Sequence, residues 1–583
     1  MLLILLSLNQ VLRLIENNFS QNLSLIGFLV SSLISYNRYR LGRKLMKKIA
    51  QTENVEDFLD SNFIYIDKTE YIYNLVSNYK RVFFSRPRRF GKSLTLNTIG
   101  TLFEKGVEPY FKGTWIYDKW DQDKYPVLHL NFLEYTSSNV DEFNVSVCQV
   151  LRDFAKKINV NDYTDDIKPH NLLRNIFTAM PADMKIVLLI DEYDCQLTAN
   201  INNAKQCEAF RKSIQKLYAV LKGKKQIHFL AVTGVTRLKD VSIFSVGSDI
   251  RDLSYNNAYS KMIGFTRDEI KHFYFDYLKL GVSYEKNIEV TDVNDADIEN
   301  LLDRMAVQYD SYCFDEFNEN KVFSTYSVNC FLLDIYEKKT VRFGDYWYEA
   351  GGIPSILRNY LSSHDIDLNK FQSSEIDVIY DDFVNPTSLP DMNENVLMCQ
   401  TGYLTLKSEI RAPRRIKLGV ANREVKNALN SLLSQKFFQP EELDSFYDAD
   451  YILENESVES IVNHLNCVLA TIPFDKYPVE NESVLRALIL MYLSGLRCDV
   501  RAEQHNFKGR SDILINFKKR RVIIELKFSK NGNDTEALLK EAEEQIINRD
   551  YGIENLEGRE LLKIACVFNG SENARQIISY KEL

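Results

Sequence analysis

Glycine and proline are scarce in this sequence, which has 22 and 12 of them among 583 residues. This is about half their usual share and excludes collagen-like, linker-dominated and broadly disordered chains. The nine cysteines are odd in number, scattered, and never spaced C-x-x-C. This pattern argues against a disulfide framework and against a zinc module. It favours a reducing compartment, so we expect a cytoplasmic protein.

Positive charge is not in excess either, because the formal net charge is -9. Any contact with nucleic acid must therefore come from local basic patches. Polar residues interrupt the apolar residues 1–35, so no run reaches the roughly 20 residues that a spanning helix needs. The region also lacks the basic start and the cleavage site of a secretory signal. We treat residues 1–45 as an N-terminal extension, either a helix or an upstream start that is not native, and expect no membrane partner.

A strand, a tight loop and a helix are predicted in succession over residues 81–103. In the loop, Gly91 lets the backbone turn closely around a phosphate, Lys92 supplies a charge for the β- and γ-phosphates, and the Ser93 hydroxyl suits Mg²⁺. The helix that follows aims its free N–H groups at the same anion. Arg86 stands where the general motif has its first glycine. By itself this half-motif fits a basic loop before a helix equally well.

A second group of polar residues follows apolar runs that are typical of buried strands. Asp191 and Glu192 come directly after the run at 185–190, and Thr233 ends the run at 228–233. Asp191 is suited to hold Mg²⁺ through water, Glu192 to polarise an attacking water, and Thr233 to sense the γ-phosphate. Strands that alternate with helices and carry ligands at their carboxyl ends predict a doubly wound parallel sheet.

Four segments of the chain resemble the bacterial AAA-ATPase-like proteins. They are Phe63–Thr69, Ser85–Ser93, Asp191–Asp194 and Thr233–Gly234. The resemblance extends over most of the chain from Met46 and implies a P-loop ATPase with a PD-(D/E)XK nuclease-like domain at the carboxyl end. In that family the arginine-rich loop is the normal form. The candidate residues for ATP and Mg²⁺ binding are Arg86, Arg88, Arg89, Phe90, Gly91, Lys92, Ser93, Leu94, Asp191 and Thr233.

The middle of the chain begins with a capping-box pattern at Thr266–Glu269, which predicts a helical lid over the nucleotide. Further on, residues 403–407 and 414–419 predict a hairpin, followed by a helix from Val425. This order is compatible with a winged-helix module. The basic side chains of the hairpin either contact phosphates or keep a solvated edge soluble; they are Arg411, Arg414, Arg415 and Lys417.

A D…ExK arrangement lies near the carboxyl end. Residues 512–517 and 521–527 predict two strands joined by a short basic turn. Counting outward from the turn places Asp512 directly opposite Glu525, with their Cβ atoms about 5 Å apart. Lys527 lies on the same face of the strand. A charged hairpin edge exposed to solvent would explain the spacing alone.

Two carboxylates this close repel each other unless a cation lies between them, and Mg²⁺ suits such a pair. Asp512 and Glu525 would be its ligands, and Glu482 would supply a further ligand from a preceding helix. Lys527 would either orient the attacking water or neutralise charge in the transition state. The arrangement resembles the PD-(D/E)XK fold, whose trailing motif Gln545 and Tyr551 fit. A nearby basic cluster would bind phosphates or is a hydrated turn; it comprises Lys508, Arg510, Lys518, Lys519, Arg520 and Arg521.

The expected fold is therefore α/β in three parts after the extension. Residues 46–265 form a P-loop domain with helices on both faces of a parallel sheet. Residues 266–435 form a helical lid and a winged-helix-like module, and residues 436–583 form a restriction-endonuclease-like α/β domain.

Two functions fit this organisation. The first is an ATPase coupled to a Mg²⁺-dependent nuclease that acts on nucleic acid, DNA more than RNA. The second is an ATP-switched regulatory or interaction protein whose carboxyl domain binds nucleic acid or a partner without cutting. AAA-type relatives often assemble into rings, so a homo-oligomer is a further expectation, with Arg237 the one candidate for an arginine finger.

Overall fold

The structure, a computed structural model, describes most of residues 46–583. The N-terminal extension 1–45 lies outside the described residues, as do the gaps at 61, 136, 138, 239–249, 350–374, 387–388, 390–391, 412–414, 430–448, 473, 475–477, 496–498, 507–508, 518, 549–555, 557 and 573. Within the described part of the chain, no helix is both long enough and apolar enough to cross a membrane.

The amino-terminal half contains a five-stranded parallel sheet in the order β2-β3-β4-β1-β5. Its strands are β1 (Arg81–Ser85), β2 (Val127–Asn131), β3 (Ile186–Asp191), β4 (Ile227–Gly234) and β5 (Arg251–Asp252). Every residue of β1 and of β3 is buried, and for β3 the unbroken apolar run predicts this. The order places β4 between the strand that precedes the glycine loop and the strand that ends in Asp191.

Helices connect these strands and pack against them. They are α1 (Val55–Asp60), α2 (Thr69–Asn78), α3 (Lys92–Lys105), α4 (Val140–Lys157), α5 (Pro169–Ala179), α6 (Cys195–Ala199) and α7 (Ala204–Leu221). Helix α3 packs on β2, β3 and β4, while α4, α5 and α7 pack together and α4 also meets β2. The predicted parallel α/β fold is confirmed for this part of the chain.

A group of helices with its own apolar core follows the sheet. They are α8 (Arg267–Phe273), α9 (Phe275–Lys286), α10 (Asp295–Tyr309), α11 (Thr325–Lys338) and α12 (Tyr346–Glu349). The predicted capping box is present at the start of α8, where Thr266 and Glu269 each accept the other's backbone N–H. We call these five helices the lid.

The next module contains a three-stranded antiparallel sheet in the order β6-β8-β7. Its elements are β6 (Ile376–Val378), α13 (Tyr380–Val384), α14 (Glu394–Thr401), β7 (Leu404–Leu406) and β8 (Ile416–Val420). The predicted hairpin is confirmed, with Leu404 paired to Val420. Residues 423–429 are helical, as expected after the hairpin. Arg414 lies outside the described residues.

The carboxyl part is built on a five-stranded mixed sheet in the order β13-β12-β11-β10-β9. Its strands are β9 (Asp499–Asn506), β10 (Gly509–Asn516), β11 (Arg520–Ser529), β12 (Glu560–Asn569) and β13 (Gln576–Glu582). Its helices are α15 (Ala449–Asn455), α16 (Val458–Ala470), α17 (Glu482–Gly495) and α18 (Thr535–Asn548). Strands β11 and β12 are parallel, and the other pairs are antiparallel.

Alternate residues of the central strands β10 and β11 serve opposite faces of this sheet. Ile513 and Ile524 join the large apolar cluster. Leu514 and Ile523 face the other way and pack with Ala542 of α18. Asp512 and Glu525 have the same parity as this second pair, so they lie on the face that α18 covers.

Candidate functional site

A cavity of about 600 Å³ lies between the glycine loop, the residues before α1 and the lid. The glycine loop lines it from Arg88 to Leu94, so six nucleotide-binding candidates besides Lys92 border this space. Its other walls include Ile64, Ile66 and Phe265, which are apolar. The cavity wall therefore combines polar and charged groups with apolar surface that suits a planar base.

The local backbone of the loop requires Gly91. This residue has φ 99° in the left-handed region, and an added Cβ would meet nothing within 4 Å, so conformation rather than space demands glycine. Helix α3 begins at Lys92 directly after it. The free N–H groups of the first helical turn therefore point toward the cavity, as an anion site requires.

Lys92 is held inside the loop and is only 4% exposed. Its Nζ donates to the carbonyl oxygens of Arg86 at 3.1 Å and Pro87 at 3.2 Å. The same Nζ lies 3.2 Å from a carboxylate oxygen of Glu192, which also lines the cavity. Lys92 and Glu192, both predicted from the sequence as site residues, therefore form an ion pair, and the Lys92 side chain extends toward the end of β3.

Asp191 lies at the carboxyl end of β3 and is 1% exposed. Its Oδ1 accepts the Thr233 hydroxyl at 2.5 Å and the Glu192 N–H at 2.9 Å. Its Oδ2 is buried and has no hydrogen-bond partner among the described residues. A buried carboxylate oxygen without a donor needs a compensating partner, and a Mg²⁺-bound water is a chemically suitable one.

The side chains of three candidates are buried, and two of them, Arg86 and Thr233, lie outside the cavity lining. Arg86 is 1% exposed and donates to the carbonyls of Ser85 at 2.8 Å and Ser254 at 2.6 Å, with its guanidinium 4.2 Å from the Phe314 ring centre. It lies outside the cavity lining, because the chain turns its side chain back into the core, and burial lowers its pKa to about 10. Phe90 packs its ring into the same core. Thr233 is fully buried and faces Asp191.

The lid contributes residues to this site that the sequence analysis missed. Thr325 donates its hydroxyl to the carbonyl of Arg89 at 3.0 Å, and the Arg89 guanidinium lies 4.8 Å from the ring centre of Tyr326. Trp347 donates its indole N–H to the carbonyl of Arg88 at 3.3 Å. Residues of the lid therefore hydrogen-bond to the backbone of the glycine loop at Arg88 and Arg89.

Glu53 is another cavity residue that the sequence analysis missed. Desolvation raises the pKa of its carboxyl group, and the nearby charges of Asp191 and Glu192 raise it further, while Arg89 and Lys92 act in the opposite direction. Glu53 is thus a third carboxylate near Asp191 and Glu192, contributed by the segment before α1. The sequence around Glu53 does not predict this location, because it depends on how the segment before α1 packs beside the glycine loop.

The antiparallel module closes against the glycine loop from another side. Gly402 has φ 94°, and an added Cβ there would lie 2.8 Å from Pro87, so this close approach requires glycine. The side chain of Gln400 accepts the backbone N–H of Arg237 at 3.0 Å. The Arg237 side chain itself pairs with Asp252 at 2.6 Å within the chain, so it is engaged internally rather than extended toward a neighbouring copy.

The second candidate centre lies on the β10–β11 hairpin, whose predicted register is confirmed. Ile513 pairs with Ile524, and Asn516 pairs with Arg521. The same register, continued by one residue, places Asp512 opposite Glu525. The Asp512 N–H donates to Glu525 Oε2 at 3.3 Å, and the Leu526 N–H donates to Asp512 Oδ2 at 2.9 Å. The two carboxylates therefore lie side by side on one face of the sheet.

Lys527 and Glu482 reach the same centre. Lys527 Nζ lies 3.9 Å from Glu482 at the start of α17 and 3.2 Å from Glu541 of α18. Gln545 donates to Glu541 at 3.3 Å, while Tyr551 lies outside the described residues. All four sequence-predicted residues of this centre are therefore gathered, and Glu541 joins them from a helix that the spacing argument did not use.

Burial and like charges perturb the acids of this centre. Burial, together with the charge of the adjacent Asp512, raises the pKa of Glu525 to about 8. Burial also raises the pKa of Glu482. Each value reflects the cost of placing several carboxylates together in a dry site. Such a site favours a cation that can neutralise them.

Asp512 and Glu525 fit Mg²⁺, which takes one or two carboxylates and keeps several waters. Among the described residues, no three His, Cys, Asp or Glu side chains are already gathered as metal ligands. Instead, Arg486 lies 2.8 Å from Asp512 Oδ1. The sequence analysis missed Arg486, although its position one helical turn after Glu482 places both on one face of α17.

Part of the predicted basic cluster is engaged with neighbouring groups. Arg520 pairs with Glu560 at 3.0 Å and also donates to the carbonyl of Glu456, and Arg521 donates to Asn516 at 2.7 Å. Lys508 and Lys518 lie outside the described residues, as does the side chain of Arg510. In the middle module, Lys417 similarly pairs with Glu375 at 2.6 Å.

Two family models match the parts of the chain that contain the two centres. A family model described as a predicted AAA-ATPase matches residues 50–244, and one described as the PD-(D/E)XK nuclease superfamily matches residues 480–577. The chain carries both domains. The AAA-ATPase domain includes the glycine loop and both acids at the end of β3. The PD-(D/E)XK domain includes Glu482, Asp512, Glu525 and Lys527.

Two further proteins are similar to this chain. An uncharacterised protein of Azotobacter chroococcum mcd 1, described by its place in the vnfD 5′ region, is 26% identical over 481 residues, which is 80% of this chain and 86% of that protein. A Walker-type ATPase of Pyrococcus abyssi aligns at 11% identity with a TM-score of 0.31, over 66% of this chain and 98% of its own.

Proposed function

We propose that this protein is an ATP-hydrolysing P-loop enzyme coupled to a Mg²⁺-dependent nuclease centre that cleaves nucleic-acid phosphodiesters in the cytoplasm. The observation that carries the proposal is the convergence of Glu482, Asp512, Glu525 and Lys527 in one chain with the Lys92–Glu192 site. Its domains are residues 46–265 for the ATPase, 266–435 for the lid and hairpin module, and 436–583 for the nuclease.

In the nucleotide site, Lys92 and the first-turn N–H groups of α3 bind the β- and γ-phosphates. Ser93 and Asp191 would hold Mg²⁺, Asp191 through water, and the ion would neutralise charge on the phosphates. Glu192 must leave Lys92 when the phosphates arrive, which frees its carboxylate to orient the attacking water. Arg88 and Arg89 add positive charge at the phosphate end, and Thr233 holds the Asp191 carboxylate in position.

In the second centre, Asp512 and Glu525 would hold Mg²⁺, which would supply a bound water of lowered pKa for attack on a phosphodiester. Glu482 orients that water or adds a ligand from α17. Lys527, held between Glu482 and Glu541, neutralises charge that develops on the phosphate in the transition state. We place DNA ahead of RNA as the substrate, with contacts from the basic residues near the β10–β11 turn.

One preparation of the full chain tests the whole proposal. ATP hydrolysis and Mg²⁺-dependent cleavage of DNA and of RNA are measured in parallel on the parent protein, Lys92→Ala and Asp512→Asn. We expect Lys92→Ala to lose ATP binding and hydrolysis and Asp512→Asn to lose cleavage alone. Nucleotide binding and nucleic-acid binding without any cleavage would instead identify an ATP-switched regulatory protein.

A further inference from the structure

Arg486 is the cation nearest to the paired strand carboxylates among the described residues. It lies on α17, four residues after Glu482, and its Nη1 is 2.8 Å from Asp512 Oδ1. The two side chains are only 13% and 9% exposed. A charge-assisted hydrogen bond of this length between largely dehydrated partners is a strong interaction.

The two oxygens of Asp512 have different partners. Oδ2 accepts the Leu526 N–H at 2.9 Å, which fixes the carboxylate to the strand. Oδ1 instead accepts a hydrogen bond from a side chain, that of Arg486. A divalent ion between Asp512 and Glu525 would need the same oxygen.

Two cations on one carboxylate oxygen repel each other strongly in a poorly hydrated site. The other cation of the centre, Lys527, pairs instead with Glu482 and Glu541. Arg486 and a divalent ion are therefore alternative partners of Asp512.

We infer that Arg486 is a metal-displaced phosphate ligand: it binds Asp512 when the centre holds no divalent ion, and metal binding releases it to a phosphate of the nucleic acid. This inference rests on the proposed nuclease function and identifies a phosphodiester-binding residue within it. The planar guanidinium matches two phosphate oxygens, and its place one turn from Glu482 keeps it beside the reacting group.

Metal binding gives a readout that does not depend on cleavage. Mn²⁺ binding to the full chain without nucleotide is measured by electron paramagnetic resonance for the parent, Arg486→Gln and Arg486→Lys. Asp512→Asn measures the Mn²⁺ that binds to the chain outside this centre. Lys581→Gln is a control that removes a paired charge elsewhere in the same domain. Thermal unfolding of each variant verifies that it is folded.

We expect Arg486→Gln to bind Mn²⁺ about tenfold more tightly than the parent, because the ion no longer competes with a charge-assisted hydrogen bond. Arg486→Lys should fall between the two, and Lys581→Gln should match the parent. In Ca²⁺, which occupies the site in place of Mg²⁺, Arg486→Gln should bind duplex DNA about tenfold more weakly.

The outcomes separate the two levels of the proposal. If the parent binds Mn²⁺ more tightly than Asp512→Asn but Arg486→Gln equals the parent, the displacement inference is wrong and the metal centre stands. Unchanged DNA binding by Arg486→Gln in Ca²⁺ overturns the phosphate role. If the parent and Asp512→Asn bind Mn²⁺ identically, the proposed metal centre fails, and the inference fails with it.

Discussion

Asp512 lies directly opposite Glu525 on neighbouring antiparallel strands, and its backbone N–H donates to the Glu525 carboxylate at 3.3 Å. Each acid is thus held by the backbone beside the other, which fixes their separation without a metal ion. The cost of this arrangement is visible in Glu525, whose pKa is raised to about 8 chiefly by burial.

Replacing Glu525 by Gln should abolish cleavage and preserve ATP hydrolysis. The amide cannot supply the anionic ligand that Mg²⁺ requires, so we expect a loss of at least about 100-fold in cleavage rate. Glu560→Gln is the matched control, because Glu560 is an exposed acid of the neighbouring strand β12. Cleavage by Glu525→Gln at the parental rate would exclude Glu525 as a metal ligand.

Replacing Lys92 by Met should weaken ATP binding by about 10- to 100-fold, as expected when a buried charge-assisted contact to phosphate is removed. Lys105→Met is the control, since Lys105 ends the same helix α3 and pairs with Glu56 on the surface. Fluorescent-nucleotide titration measures both. Equal affinities for the two variants would remove the glycine loop from the nucleotide site.

Glu192→Gln should separate binding from turnover. The amide retains the shape of the side chain but cannot polarise water, so hydrolysis should fall by about 100-fold or more. ATP affinity should be retained or increased, because Lys92 loses a competing partner in Glu192. Glu208→Gln, on the surface of α7, serves as the control. A parallel loss of affinity and turnover would contradict the assigned role.

Glu541→Gln tests whether Glu541 positions Lys527. Losing the 3.2 Å contact should lower the turnover number of cleavage by about tenfold with little change in KM, since substrate binding does not use this carboxylate. Glu541→Asp should restore part of the rate. Glu543→Gln, which changes an acid of the same helix that pairs with Lys581, should leave cleavage unchanged. An equal rise in KM for both helix variants would point to a general structural effect.

Glu424 predicts a pH dependence of stability. It is fully buried, accepts the Trp347 N–H at 2.9 Å and the Ser327 hydroxyl at 2.8 Å, and burial raises its pKa from 4.5 to about 8. The folded state therefore binds a proton that the unfolded state has already released between these values. Stability should fall as pH rises through this window, by up to about 1.4 kcal/mol per pH unit.

Urea unfolding from pH 5 to pH 9 measures this slope in the parent and in Glu424→Gln. The amide oxygen can accept the Trp347 backbone N–H, and the amide nitrogen can donate to the Ser327 hydroxyl oxygen, both without a charge. The variant should therefore show a shallower slope and higher stability at pH 9. Identical slopes in the two proteins would show that Glu424 titrates normally in the folded state.

Several features were predictable because neighbouring residues determine them. A symmetric two-residue turn was enough to set the β10–β11 register and to place Asp512 against Glu525. The apolar run that ends in Asp191 predicted the buried strand β3, and the alternation of strands with helices predicted the parallel sheet. Thr266 predicted the start of α8 because a capping box spans only four residues.

The contacts that the sequence analysis missed join distant segments. Thr325 and Trp347 meet the glycine loop across more than 200 residues of chain. Glu53 reaches the acids of β3, and Arg486 reaches Asp512, only because helices and strands pack in one particular way. Sequence spacing does not encode these approaches.

The linear order of residues thus suffices for the chemistry of each motif: which groups can bind phosphate, which acids share a strand face, and where a helix begins. Packing determines how those groups are used. It turns the Arg86 side chain into the core, directs Thr233 to Asp191, and places Arg486 on the oxygen that a metal ion would need. The physical reason is that hydrogen-bond geometry within a few residues is local, whereas burial and side-chain pairing depend on the whole fold.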